Sequence, residues 1–339
     1  MTGGEGHLPG AIDVHVHTPD IFNVLKLNVD ESRRLLLREM REAGVRAAFL
    51  YAIEANHDHV IRSIGSRDLF RALEEVVASG FMRMPVSLLR VLHDLEGALI
   101  EHGNAIKTLY TPTELVVKVA QGVEGLIPVG SIDVSRPLDE VAERLDEVLS
   151  LGGAGVKILP TIQLVDERLY DRLELIADML ERRNRILFLH TGCDPGIWEL
   201  PRFCRYADPS RFERIVRSHR DLTTVLCHMG SYSALSPGVF LEEALRLARR
   251  YRNVYLDTAA VDPRFVVDAV RSVGHHKLLF GSDYPVVSSS WRSLVSGILN
   301  LELPREVKRA ILFDNPLRLL LSTGFKPPFQ PEGGEPSEA

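Results

Sequence analysis

Eight times along this chain a short apolar run is followed by a stretch whose apolar residues recur at helical spacing. The runs are residues 11–17, 45–51, 126–133, 155–159, 186–190, 223–228, 254–257 and 277–281. Short apolar runs of this kind are the pattern of strands buried on both faces, as in parallel sheets. Parallel neighbours cannot be joined by a hairpin, and a helix between each pair supplies the crossover. Eight such units predict a closed (β/α)8 TIM barrel, with an open doubly wound sheet as the alternative. Helix punctuation agrees. In residues 31–43, Leu35, Leu36, Met40 and Ala43 share one stripe, and Gly44 stands where a C-cap glycine belongs. Gly152 and Gly153 end the helix predicted over 138–151.

One interruption breaks the alternation. Residues 54–121 read as a helical insertion between strands 2 and 3, and Met82, Met84, Leu88, Leu89, Val91 and Leu92 make it apolar enough to bury a face. It is expected to pack on its own barrel, with a cover over the mouth or a homodimer contact as the other uses. Residues 1–325 are read as one domain, and the Pro-, Gly- and Glu-rich residues 326–339 as a disordered tail. A chain of 339 residues is long enough for one large barrel.

Composition excludes several classes. The net charge of -6 and the lack of a long basic run argue against nucleic-acid binding. No apolar run approaches the roughly 20 residues of a membrane helix. The Gly-rich first ten residues lack the pattern of a signal peptide. The three cysteines are odd in number and form no CxxC pair, so no disulfide framework is expected and a reducing, cytoplasmic setting fits.

The chemistry of a parallel barrel sits at the C-terminal ends of its strands. Strand 1 ends in Ala11-Ile12-Asp13-Val14-His15-Val16-His17. In a regular strand, residues two apart share a face, so His15 and His17 should project together while Val14 and Val16 turn away. Two neutral imidazoles converging on one point make half of a divalent metal site. Lys157 lies near the end of strand 4, His190 ends strand 5, His228 ends strand 6, and strand 8 leads into Asp283. Each alone has an ordinary structural use, as a strand-end hydrogen bond, a turn cap or a snorkelling lysine. Together they aim metal-ligand and acid–base residue types at one rim from five strands. Asp13 is read as a strand cap or a fold residue, and Cys227 as a small core residue. Gln163, Trp198, Tyr232 and Tyr284 fall in loops after strands 4, 5, 6 and 8, placed either to line the mouth or to pack against helices. Cys193 is read as a bystander, His57 and His59 as unrelated insertion residues, and His275 and His276 as lying at the opposite end.

The stretches AIDVHVHT, GAGVKILPTIQ, ILFLHTG, TTVLCHMGS, NVYLDTAA, KLLFGSDYPV and DNPLRLL resemble the amidohydrolase superfamily. Within it they are most similar to the amidohydrolase-2 group, which includes the aminocarboxymuconate-semialdehyde decarboxylase-like enzymes. The resemblance covers strand 1 and nearly everything from Leu126 to Leu321, and the 54–121 insertion has no counterpart in it. It implies that His15, His17, His190 and Asp283 are metal ligands. Asp283 would also take a proton from the activated water, and His228 would orient that water or polarise the substrate carbonyl. It implies that Lys157 is a substrate contact, or a carboxylated bridge if two ions bind. Where many relatives carry a histidine after the Gly-Val-Lys triplet, this chain has Leu159, which removes a polar group from the rim.

Three histidines and one carboxylate leave a divalent ion with net positive charge and an open position. Zn2+ is expected, with Mn2+ as the alternative, and one ion rather than two. The leading expectation is hydrolysis of a small-molecule amide, lactone or ester. Non-oxidative decarboxylation uses the same ligands and is the alternative, and a non-catalytic metabolite-binding barrel is the third reading. A substrate anion needs a basic partner, and the only arginines seen near the ends of the ligand strands are Arg202 and Arg205, which places hydrolysis first.

Overall fold

The computed structural model describes residues 10–21, 25–55, 110–195 and 197–324. The helices expected within 56–109, with His57 and His59, and the tail at 326–339 lie outside the described residues. Eight parallel strands run in sequence order around one sheet. They are β1 (Ala11–His17), β2 (Val45–Tyr51), β3 (Leu126–Ser131), β4 (Gly155–Ile158), β5 (Ile186–Gly192), β6 (Thr224–Tyr232), β7 (Val254–Asp257) and β8 (Leu278–Leu279). The segment through β8 returns to β1, where Val14 N donates to Phe280 O at 2.8 Å and Asp283 N donates to His15 O at 2.9 Å. The architecture is the (β/α)8 TIM barrel that the alternation predicts.

Helices follow the strands with the expected punctuation. Helix α1 (Val29–Ala43) begins two residues before the apolar stripe suggests, because Asn28 and Glu31 form a reciprocal capping box. Its end is Gly44, in the left-handed region at φ 71°. Helices α2 (Thr113–Ala120), α3 (Leu138–Ser150) and α4 (Tyr170–Arg182) accompany β3 to β5. Beyond β5 the chain makes a short helix, α5 (Pro201–Cys204), before α6 (Glu213–Ser218) leads into β6. Helices α7 (Leu241–Arg250), α8 (Pro263–Val273) and α9 (Trp291–Leu299) complete the ring, and a continuous helical stretch over residues 305–322, with a π-helical turn at Ala310–Asp314, follows them.

Strand alternation divides the core into two layers. Outward residues such as Leu50, Val156, Leu187 and Leu226 join the apolar stripes of the helices, including Leu36, Val141 and Leu180. Inward residues, among them Ile12, Val14, Phe49, Ile127, Phe188 and Val225, fill the barrel. Each fully buried side chain of this kind contributes about 1.5–3 kcal/mol. Phe188 is fully buried between the rings of Phe49 and Tyr51, at centroid distances of 5.9 and 5.1 Å. Towards the C-terminal mouth the inward positions change character. Tyr51, Lys157, His190 and Asp257 continue the inner faces of β2, β4, β5 and β7, so the apolar plug ends in a polar floor.

Candidate metal centre

Two histidines reach the mouth because their strands are irregular. Between β1 and β2 the register runs Asp13↔Ala48 and then Val16↔Leu50, so β1 carries one extra residue. This bulge changes the expected facing. Val14 joins the inner core with Ile12, and His15 follows it inward, with His17 beside it and only Val16 turned out. A bulge re-aims side chains in this way, which a strict two-residue period does not foresee. In β6, Cys227 already faces inward, and the strand breaks register after it. His228 and Met229 adopt φ 61° and 53°, which turns the His228 ring into the same mouth. Thr191 ties this break down: its hydroxyl donates to Cys227 O at 2.5 Å and accepts from Gly230 N at 2.8 Å. Asp283 also stands at positive φ, 57°. Non-glycine residues in this region carry strain that surrounding structure must hold, and such strain clusters at functional sites.

Hydrogen bonds fix the tautomers. His15 Nδ1 lies 2.9 Å from Asp257 Oδ2. Asp257 Oδ1 accepts from His228 N at 2.7 Å and from Ala259 N at 3.1 Å. A carboxylate in this setting only accepts, so His15 carries its proton on Nδ1 and presents the Nε2 lone pair to the cavity. His228 Nδ1 faces Ala259 O at 2.9 Å, which leaves its Nε2 lone pair free by the same argument. Gly281 makes room for this packing, since a Cβ there would stand 3.0 Å from His15 Cβ and 3.2 Å from Asp257 Cγ. Asp13 serves the fold: it accepts from His15 N, Ser282 N and Trp291 Nε1. Burial, only partly offset by those hydrogen bonds, pushes its carboxyl up to about 7.

His15, His17 and Asp283 bring three potential ligand atoms within 4.8 Å of one another. Asp283 Oδ1 lies 3.2 Å from His17 Nε2 and 3.6 Å from His15 Nε2. A second cluster, His15, His228 and Asp257, is held by the hydrogen bonds just described. Its carboxylate orients His15 and does not line the cavity, so the first cluster is the better metal position. His190 joins neither cluster. Its ring lies 4.6 Å from that of His228 and lines the same cavity. His190 Nε2 is buried and accepts or donates no hydrogen bond among the described residues. The nearest carboxylate oxygen, Asp194 Oδ2, stands 3.3 Å away without hydrogen-bond geometry. A buried nitrogen left without a partner is costly, and a metal ion is the natural partner for an imidazole lone pair. The residues therefore fit a divalent ion.

Burial is also the main force on the protonation of these groups. It holds His15 and His190 well below the ordinary histidine value, helped at His15 by Lys157 and His17 and at His190 by His228 and Lys157. It takes His228 down to about 3, with His15 adding to the effect. Neutral imidazoles are the form that binds metal. Lys157 is buried beneath them, with Nζ 3.4 Å from His15 Nε2 and 4.7 Å above the Tyr51 ring centre. Asp194 accepts from Thr161 Oγ1, and burial pushes its carboxyl up to about 7 against that hydrogen bond.

The cavity over this cluster has a volume of about 200 Å3. Tyr232 lines it, stacked on His228 at 4.5 Å, and so does Trp198. Gln163 and Tyr284 do not. The Gln163 amide is spent on Glu54 O, Ile132 O and Leu159 N, and Tyr284 is stacked on Trp291. Asp257 and Asp194 are the groups that sequence reasoning did not name. Asp257 was visible in principle as an inward, strand-end position of β7, whereas Asp194 lies in a loop where no period applies. A further correction concerns the cysteines. Cys193 and Cys204 form a disulfide, and Cys227 stays free and buried. An odd count and the absence of CxxC say nothing about cysteines that a returning loop brings to a Cα separation of 4.6 Å.

A model of the amidohydrolase family matches residues 12–321. No curated protein matches the chain. Among solved structures, an uncharacterized TIM-barrel protein from Bordetella bronchiseptica superposes with a TM-score of 0.63 at 19% identity, covering 93% of this chain and 99% of that one. An amidohydrolase from Burkholderia multivorans gives 0.58 at 13% identity, covering 92% and 99%. A 2,6-dihydroxybenzoate decarboxylase from Rhizobium gives 0.53 at 15% identity, covering 92% and 98%. At these identities the structural likeness speaks to the fold.

Proposed function

The chain belongs to the amidohydrolase family, and from that premise we propose that it is a metal-dependent hydrolase of a small-molecule ester, lactone or amide. The observation that carries this reading is the convergence of His15, His17 and Asp283 on one point of the mouth, with the His15 tautomer set by Asp257. His15, His17, His190 and Asp283 would hold one divalent ion, Zn2+ before Mn2+. When bound, the ion supplies Lewis-acid polarisation of a carbonyl oxygen and lowers the pKa of water beside it.

The remaining work falls to the chain. Asp283 is the carboxylate that faces the cavity from this cluster, within reach of a proton released from an attacking water. His228 presents an unprotonated Nε2 beside it and can accept a proton or orient that water. Lys157 offers a donor at the floor, where it contacts either the substrate oxygen or the ligand shell. Trp198 and Tyr232 stand on the walls of the cavity, where their rings narrow the space left for competing water.

A decarboxylase could use the same ligands, and one of the similar folds is named as such. A paired screen separates the two. Metal-loaded protein is incubated with a panel of esters, lactones and amides, and with aromatic carboxylates, while acid release and carbon dioxide release are followed together. Acid release without carbon dioxide supports hydrolysis. Carbon dioxide release from the carboxylates, with the esters, lactones and amides untouched, rejects it.

A further inference from the structure

We infer that the substrate's non-reacting end is uncharged and apolar, and that Leu159 is a residue that sets this preference; the inference rests on the metal-dependent reading above. The cavity lining is of two kinds. The ligand cluster, His228 and Lys157 are polar. Ile21, Ile53, Leu159, Ile162, Trp198 and Val286 are apolar. The first five of these are at most 6% exposed, so they form a fixed apolar surface and not a wet rim.

Leu159 comes two residues after Lys157, directly beyond the end of β4, and both line the cavity. Its backbone N–H is held by Gln163 Oε1 at 3.0 Å, which fixes where the side chain starts. Asp194, which also lines the cavity with 14% of its side chain exposed, is an acid whose Oδ2 lies 3.3 Å from His190 Nε2. An acid supplies no counter-charge to a substrate anion. Lys157 is the one cation among the described lining residues, and it lies against His15 and Tyr51. A carboxylate on the substrate, placed against these apolar residues, would lose water without gaining a cationic partner among the described residues, which is strongly unfavourable. An alkyl or aryl group placed there would instead bury apolar surface, which is favourable.

The test uses metal-directed probes that need no known substrate. Hexanohydroxamic acid and adipic acid monohydroxamate share the chelating group and chain length and differ in a terminal carboxylate. Both are titrated calorimetrically into Zn2+-loaded wild type, metal-free wild type, Leu159→Lys and Leu159→Met. The expected result is that wild type binds the neutral probe at least about tenfold more tightly, and that Leu159→Met keeps this ratio. Leu159→Lys, which adds a cation among the described apolar lining residues, should move the ratio towards the carboxylated probe by about tenfold or more. Equal or tighter binding of the carboxylated probe by wild type overturns the inference, even if no variant folds. An unchanged ratio in a folded Leu159→Lys removes Leu159 from the role. If neither probe binds more tightly with Zn2+ than without it, the metal reading fails and takes the inference with it.

Discussion

Histidine is used in two opposite ways in this molecule. On the helical shell, His219 sits between Glu181 and Glu174, with its two ring nitrogens 3.0 and 3.1 Å from their carboxylates. Partial burial pulls its pKa down, but the two carboxylates prevail and hold it above the ordinary value. In the mouth of the barrel, His15, His190 and His228 are wholly buried and pushed the other way, by desolvation first and by cationic or histidine neighbours second. His219 gives both nitrogens to proton-sharing partners. His15 and His228 tie Nδ1 to Asp257 and to Ala259 O and turn Nε2 to the cavity as a lone pair, which at His15 faces the Lys157 ammonium at 3.4 Å. The difference teaches what to look for: a histidine paired with carboxylates on both sides is held as a cation, and one whose ring proton is fixed on one side keeps a lone pair available for a metal or a proton.

The contrast breaks most completely at Asp283. Asp283→Ala leaves the histidines in place but removes the carboxylate they converge on. Turnover of any substrate that the wild type hydrolyses should fall about 10^3-fold or more, while the circular dichroism spectrum stays that of the wild type. Unchanged turnover would remove Asp283 from the mechanism.

Asp257→Asn tests the one-sided tie itself. The amide oxygen would stay with the N–H groups of His228 and Ala259, which turns the NH2 towards His15 Nδ1. His15 must then move its proton to Nε2, the nitrogen meant for the metal. A loss of about 10–100-fold in metal affinity is expected, read by competition with a chromogenic chelator. Wild-type affinity would mean that the Asp257 contact does not set the tautomer.

The smallest effect belongs to the shell. A folded-state pKa above the unfolded one stabilises the fold while histidine is protonated, so the contribution of His219 is fully present below about pH 6.5. It is lost as pH rises through the raised folded value. His219→Gln should therefore cost stability in urea titrations at pH 5.5 and much less at pH 9. The pair is partly open to solvent, so the loss stays under about 1 kcal/mol. An equal loss at both pH values would assign His219 to packing instead of charge.

Much of this was legible because two local signals are strong. Apolar runs separated by helical stripes fix strands and crossovers, and the polar residues at strand ends mark the mouth. Lys157 and His190 were singled out by their positions near the ends of strands 4 and 5, and both line the cavity at the mouth. His15 and His228 were found as residue types, yet they face inward through a bulge and a left-handed turn that no two-residue period encodes. Asp257 falls on an inward position at the end of β7 and could have been read there. Asp194 and the Cys193–Cys204 bond could not, since both depend on how the loop after β5 folds back.

The central claim is that His15, His17, His190 and Asp283 hold a single divalent ion. The most direct measurement is metal content per chain, by mass spectrometry of the purified protein after loading and desalting, for wild type beside His15→Ala and Asp283→Ala. The account predicts close to one Zn2+ or Mn2+ in wild type and loss of it in both variants. No bound metal in wild type, or equal metal in all three proteins, would contradict it; two ions per chain would contradict the single-ion site and bring Lys157 in as a bridge.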